Sequence, residues 1–189
     1  MNLTTSLRPL RILDFDIENR PLSYMGSDFT TGEITAIAWK VIGEPGPIEV
    51  RLLGEVTLRQ ILDDFVAVYN TVDVVTGHYI RGHDLPVISG ALLEQGMAPL
   101  AAKLTQDTKL DLISARHVSL SQESLLGMLR VGIGKVHMTQ PGWREANRLT
   151  PEGIAKTRRR VTSDVRAHIV LRRRLLAMGV LKGPTIWRP

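Results

Sequence analysis

Between Leu13 and Glu18 the chain alternates strictly, with Leu13, Phe15 and Ile17 on one face of an extended strand and Asp14, Asp16 and Glu18 on the other. Same-face residues in a strand lie ~6.6 Å apart, so three carboxylates follow one another with no basic residue between them. An apolar face of this quality predicts a central strand rather than a frayed edge. Carboxylates are almost never buried without a partner, and a divalent cation satisfies several at once. A half-exposed strand with a solvated acidic face is the other reading that this segment allows.

A chain of 189 residues is long enough for one domain with a substantial core and hardly long enough for two. One domain is expected over 1–189, with its core at about 10–178 and a tail at 180–189. No apolar run approaches the ~20 residues of a membrane span, and Met1 to Arg11 lacks the apolar centre of a signal peptide. The absence of cysteine excludes disulfides and thiolate zinc sites and suits a reducing, cytoplasmic setting.

Charge is segregated. Residues 1–129 hold 10 Lys/Arg against 16 Asp/Glu, a net of −6, whereas residues 130–189 hold 14 against 3, a net of +11. A polyanion meeting the C-terminal part, with acids gathered elsewhere, fits that division. A solvated basic helix is the plainer alternative for any single run.

Read in order, Arg11 to Ile17 forms a first strand, and Pro21 is expected to end its pairing. After a polar loop from Leu22 to Gly32, strands at Glu33–Lys40 and Ile48–Leu53 complete an antiparallel meander. Thr57 and Gln60 form a capping box for a helix whose buried stripe is Leu58, Ile61, Leu62, Phe65 and Tyr69. Val72–Gly77 is a short strand, and Asp84-Leu85-Pro86 opens a helix closed by Gly96. A short fifth strand is expected near Asp107, and a second capping box at Ser119–Gln122 leads into a short helix. Val131 to Asn147 reads as a long basic loop. Thr150, Pro151 and Glu152 start a final helix that runs to about Met178, and Trp187 in the tail can dock onto the body. This order predicts an α/β fold with a mixed five-stranded sheet, an antiparallel meander plus parallel strands flanked by helices, because strands alternating with helices demand crossovers.

Two further acids carry information. Asp84 follows a strand and a Gly-containing turn, where an N-cap is the ordinary role of Asp. Asp164 lies beside the predicted buried stripe of the last helix (Val161, Val165, His168, Leu175), so it needs either a partner such as Arg160 or His168, or a cation.

Three segments together resemble the DEDD-type 3′–5′ exonucleases of the ribonuclease H-like fold, the group that contains polymerase proofreading domains. Phe15-Asp16-Ile17-Glu18-Asn19-Arg20-Pro21 is similar to the first motif, F-D-I-E-T. Thr76-Gly77-His78-Tyr79-Ile80-Arg81-Gly82-His83-Asp84-Leu85-Pro86 is similar to the second, G-x-N-x-x-x-F-D-L-P, and Arg160-Val161-Thr162-Ser163-Asp164-Val165 occupies the place of the third, Y-x-x-x-D-V. The resemblance implies that Asp16, Glu18, Asp84 and Asp164 hold two divalent cations, Mg²⁺ or Mn²⁺. Two such ions ~3.5–4 Å apart clamp the attacking and leaving oxygens of a phosphodiester. The implied activity is hydrolysis at the 3′ end of DNA in replication or repair, on single strands or frayed duplex ends. RNA is a possible substrate, and a DNA polymerase or other replication protein a possible partner. A bacterial or phage-infected cytoplasm is the implied setting. Asp14 lies outside the motif and has either a supporting or a surface role.

The sequence departs from the family at three places. The Tyr or His that orients the attacking water is replaced by Arg160 or Arg159, neither of which acts as a base near neutral pH. His137 in the basic loop is the candidate substitute, with His168 behind it. Tyr79 replaces the Asn that holds the end of the substrate strand, and can stack on a base; His83 replaces a Phe. Lys135, Arg144, Arg148 and Arg158 to Arg160 are the candidate phosphate contacts, with Trp143 either a stacking platform or a core anchor. A catalytically inactive relative that binds nucleic acid or a replication partner is the alternative that Arg160 raises.

Overall fold

The apolar face of β1 (Ile12–Pro21) nucleates the main core: Leu13, Phe15 and Ile17 pack with Phe65, Tyr69, Leu85 and Ile88. Burying each such side chain is worth about 1.5–3 kcal/mol. The computed structural model describes residues 8–22, 30–114 and 117–189; most of the expected loop at 22–32 lies outside them. β1 pairs antiparallel with β2 (Gly32–Val41), which pairs antiparallel with β3 (Glu49–Leu52). On its other edge β1 is parallel to β4 (Val74–Gly77), itself parallel to β5 (Lys103–Asp107). The first strand is therefore where the antiparallel half of the sheet meets the parallel half.

The sheet has six strands in the order β3-β2-β1-β4-β5-β6, not five. The extra strand, β6 (Thr185–Trp187), comes from the expected tail and pairs antiparallel with β5. Its Trp187 packs against the main core, as the sequence suggested. Three residues are too few to show a period, so nothing local marked them as a strand. β1 also runs further than expected. A bulge between Glu18 and Asn19 lets pairing continue to Pro21 opposite Gly32.

Helices α1 (Leu58–Thr71) and α2 (Asp84–Glu94) supply the buried residues that meet the apolar face of β1. Thr57 caps α1, its hydroxyl accepting from the Gln60 amide. The following α3 (Gln122–Met128) is capped by Ser121 rather than Ser119. The segment expected as a loop at 131–147 contains α4 (Gln140–Ala146), capped by Thr139 with Pro141 in its first turn. Its seven residues fall short of two full turns, which hid it in a Gly-rich sequence.

The long α5 (Pro151–Ala177) crosses the opposite face of the sheet, with Val161 and Val165 on Ala36, Ala38 and Leu52. Ala36 and Ala38 are registered opposite Glu18 and Asp16. Small side chains beside the carboxylates let the helix approach the acidic face of β1 closely. At the end of β4, Gly77 is required for space: a Cβ there would sit 2.7 Å from the Phe15 carbonyl oxygen. That contact brings the second motif against β1. Among the described residues no helix is long and apolar enough to cross a membrane.

Candidate functional site

The three acids of β1 have different fates. Asp14 is fully buried, and one of its oxygens lies 2.6 Å from His168 Nδ1 on α5. Burial raises its pKa, opposed by His168 and Arg172. The surface role open to Asp14 in the sequence is therefore excluded, and His168 contacts Asp14 rather than Asp164. The contact continues: His168 Nε2 lies 3.0 Å from the Thr108 hydroxyl, which lies 3.0 Å from His78 Nδ1. This chain ties β1, β5, α5 and the turn after β4 together.

Asp16 and Glu18 come together with Asp164 of α5, one carboxylate oxygen from each lying within 4.8 Å of the others. Asp84, at the start of α2, lies outside that group of three but lines the same cleft as Asp16. Its N-cap is His83, so Asp84 is not the cap, and its side chain is free to accept from the Ile17 amide at 3.2 Å. Burial is the main cause that raises Asp16 well above the ordinary range, followed by the charges of Asp84, Asp164 and Glu18. Burial also pushes Glu18 and Asp84 to about 7, and it raises Asp164 against the pull of Lys135 and Arg160. An all-oxygen donor set that resists its own charge suits a hard divalent cation.

Two basic side chains enter this cluster. Arg160 reaches Glu18 at 3.3 Å and Asp164 at 3.0 Å, and Lys135 lies 2.9 Å from the same Asp164 oxygen. Both had been expected to contact phosphates; their charges are directed at the acids instead. No local pattern marks Lys135 for this place, because it comes from an irregular segment. That segment is fastened to α5 by Val136, whose amide donates to Ser163 and whose carbonyl accepts from Arg160.

The cleft beside Asp16 and Asp84 has a volume of ≈330 Å³ and is also lined by His78, Tyr79, His83, Lys109, Gln122 and Lys135. Tyr79 is held at a φ of 69°, an uncommon conformation for a bulky residue. Asp107 makes it possible, accepting from the amides of Tyr79 and Arg81 with its two oxygens. Asp107 was not singled out in the sequence; an Asp closing a strand before a turn is the one signal available. The Tyr79 ring faces the Lys109 ammonium, 3.9 Å from the ring centroid. Gln122 donates to the Asp164 carbonyl at 3.0 Å and so steadies α5.

Other candidates lie elsewhere. His137 is exposed and does not line the cleft. Arg144 and Arg148 line a separate surface groove with Pro141 and Glu145. Trp143 is partly buried on α4, and Arg158 pairs with Glu55. A larger groove of ≈670 Å³, lined by Met128, Leu129, Arg130, Val131, Arg173 and Arg174 among others, contains no acid.

The raised carboxylates make a testable link between pH and stability. Their folded-state pKa values exceed the unfolded ones, so the folded state binds more protons between about pH 4 and pH 7. Stability is lost as pH rises through that window. His78, lowered to about 4 chiefly by burial, opposes this below pH 6.5, one imidazole against several carboxylates. With chelator present, the melting temperature at pH 8 should be about 5 °C or more below that at pH 5. Mg²⁺ should recover more of it at pH 8 than at pH 5. Equal melting temperatures, or no effect of Mg²⁺ at pH 8, would mean that the acids are not crowded as described.

No protein-family model matches the chain, and no curated protein matches it. Among solved structures it is similar to the family B DNA polymerase from the hyperthermophilic archaeon Pyrobaculum calidifontis, with a TM-score of 0.64 and 19% identity. The match covers 89% of this chain and 25% of the polymerase, so the chain spans a quarter of that protein's length. At this identity the likeness shows the fold: α/β, with a mixed sheet flanked by helices, compatible with the ribonuclease H-like arrangement.

Proposed function

We propose that the protein is a divalent-metal-dependent 3′–5′ exonuclease that hydrolyses the terminal phosphodiester of a DNA strand. The observation that carries this reading is the convergence of Asp16, Glu18 and Asp164 within 4.8 Å, from elements far apart in sequence. Crowded acids drawn away from water, half-buried at Asp16 and Glu18 and buried at Asp164, are costly unless they serve a cation. When bound, the cation supplies Lewis acidity toward the phosphodiester and lowers the pKa of water.

The protein's own groups fit terminal cleavage. A cleft of ≈330 Å³ lies at the small end of ligand sites and suits one nucleotide rather than a duplex. Tyr79, 37% exposed and with Lys109 over one face of its ring, has the other face to offer the last base, a contact worth about 1–3 kcal/mol. On the outer side of α5, Arg159, Arg166 and Arg173 are exposed and seven residues apart, hence on one face. They are suited to phosphates, so binding should weaken steeply with salt. Polarity and the preference for DNA rest on the resemblance of the three motifs, and likeness to a polymerase fold agrees with a nucleic-acid substrate. Association with a replication protein belongs to the same reading.

A second reading is favoured by the pairing of Arg160 and Lys135 with the acids: an inactive relative that binds nucleic acid without cutting it. One assay separates the two. The protein is incubated with 5′-labelled and 3′-labelled DNA and RNA oligonucleotides, with Mg²⁺, Mn²⁺ or chelator. Stepwise shortening of the 5′-labelled strand with metal alone is the expected result. Binding without shortening would replace the proposal by the inactive reading.

A further inference from the structure

We infer that Arg160 and Lys135 take the place of the second divalent cation, so that the site takes up one metal ion rather than two. The inference rests on the metal-dependent reading above and concerns how that site is charged. It turns the main departure from the family pattern, an Arg in place of the water-orienting Tyr, into a working part.

The geometry comes first. The Arg160 guanidinium spans two of the acids, at 3.3 Å from Glu18 and 3.0 Å from Asp164, and the Lys135 ammonium shares that Asp164 oxygen at 2.9 Å. Their side chains are only 18% and 15% exposed, so these are sheltered pairs rather than surface ones. Both cations are built in. Arg160 donates to the Val136 carbonyl at 2.6 Å, and the Val136 amide donates to Ser163 at 3.0 Å, which fixes the residue after Lys135 against the helix that carries Arg160. Asp16 is different. It lines the cleft with Asp84 and accepts no hydrogen bond among the described residues. The fixed positive charges thus make their direct pairs with Glu18 and Asp164, whereas Asp16 and Asp84 are paired with neither, although Lys135 also lines their cleft.

Charge counting agrees. With Asp16, Glu18, Asp84 and Asp164 ionised the cluster carries −4, and Arg160 and Lys135 return +2. One divalent ion brings the site to neutrality, whereas two leave +2 in a sheltered space, where unbalanced charge is expensive. A guanidinium remains charged at any working pH and presents several donors in a fixed fork. It can meet charge developing on a phosphoryl oxygen without reorganising, which is the task otherwise given to a second ion. It cannot take a proton from water, so Arg160 is a stabilising group and not a base.

The test counts ions. The protein is titrated with Mn²⁺ by calorimetry, and free Mn²⁺ is followed by electron paramagnetic resonance. The wild type should bind one ion per chain, Arg160→Lys one, and the double variant Lys135→Gln with Arg160→Gln two. Two ions on the wild type, or one on the folded double variant, would overturn the inference while leaving a metal-dependent nuclease intact. No ion on the wild type would overturn the metal-dependent reading as well. If the double variant does not fold, the wild-type count decides alone.

Discussion

Asp16→Asn is expected to abolish the proposed metal-dependent shortening of an oligonucleotide, by about 1,000-fold or more, while leaving the metal-free protein as stable as the wild type or more so. A loss of that size corresponds to about 4 kcal/mol of transition-state stabilisation, within the several kcal/mol that a positioned cation supplies. The gain in stability follows from the same geometry. Burial and the charges of Asp84, Asp164 and Glu18 all act against ionised Asp16, so a neutral side chain of the same shape removes repulsion. Initial rates on a 5′-labelled strand and thermal melting with chelator measure the two effects. A variant that loses activity only because it unfolds would show both falling together. Activity within tenfold of the wild type would remove Asp16 from the site. Function held at the expense of stability is the general pattern for sites built from like charges.

Asp14→Ala, two residues away, should do the reverse: it destabilises the fold and leaves the acidic cluster chemically intact. The carboxylate is fully buried against His168 at 2.6 Å, and leaving a buried hydrogen-bond partner unsatisfied costs about 1–3 kcal/mol. For a chain of this length that lowers the melting temperature by about 2–12 °C. Asp14→Asn keeps an acceptor for His168 and should lose less. A solvated strand face would give changes within about 0.5 kcal/mol, so thermal or urea denaturation of Asp14→Ala decides between the two. A small loss would mean that the chain from Asp14 through His168 and Thr108 to His78 contributes little to the fold.

The contrast between these neighbouring residues shows how far a sequence pattern reaches. The alternation of Leu13 to Glu18 made the strand, its two faces and its central place legible, because period and burial are properties of a few consecutive residues. Thr57, Ser121, Thr139 and Thr150 all accept from an amide three residues on. Thr57 and Thr150 were readable as caps, since capping also needs only neighbours, and Thr139 was missed because the helix after it is so short. The four acids could be picked out because their motifs keep order and spacing.

What alternation leaves open is which of three equivalent acids meets what. That was decided by α5, which crosses the sheet so that His168 meets Asp14, 154 residues away, and Arg160 meets Glu18, 142 residues away. The sequence by itself thus determined the α/β order of elements, the central acidic strand and the set of candidate ligands. The tertiary structure alone decided that Asp14 is a buried support, that β6 completes the sheet, and that Lys135 and Arg160 face the acids. The physical reason is range: a helix turn or a pleat is fixed by nearest neighbours, whereas a charge cluster exists only once distant segments share a small volume from which water is largely excluded.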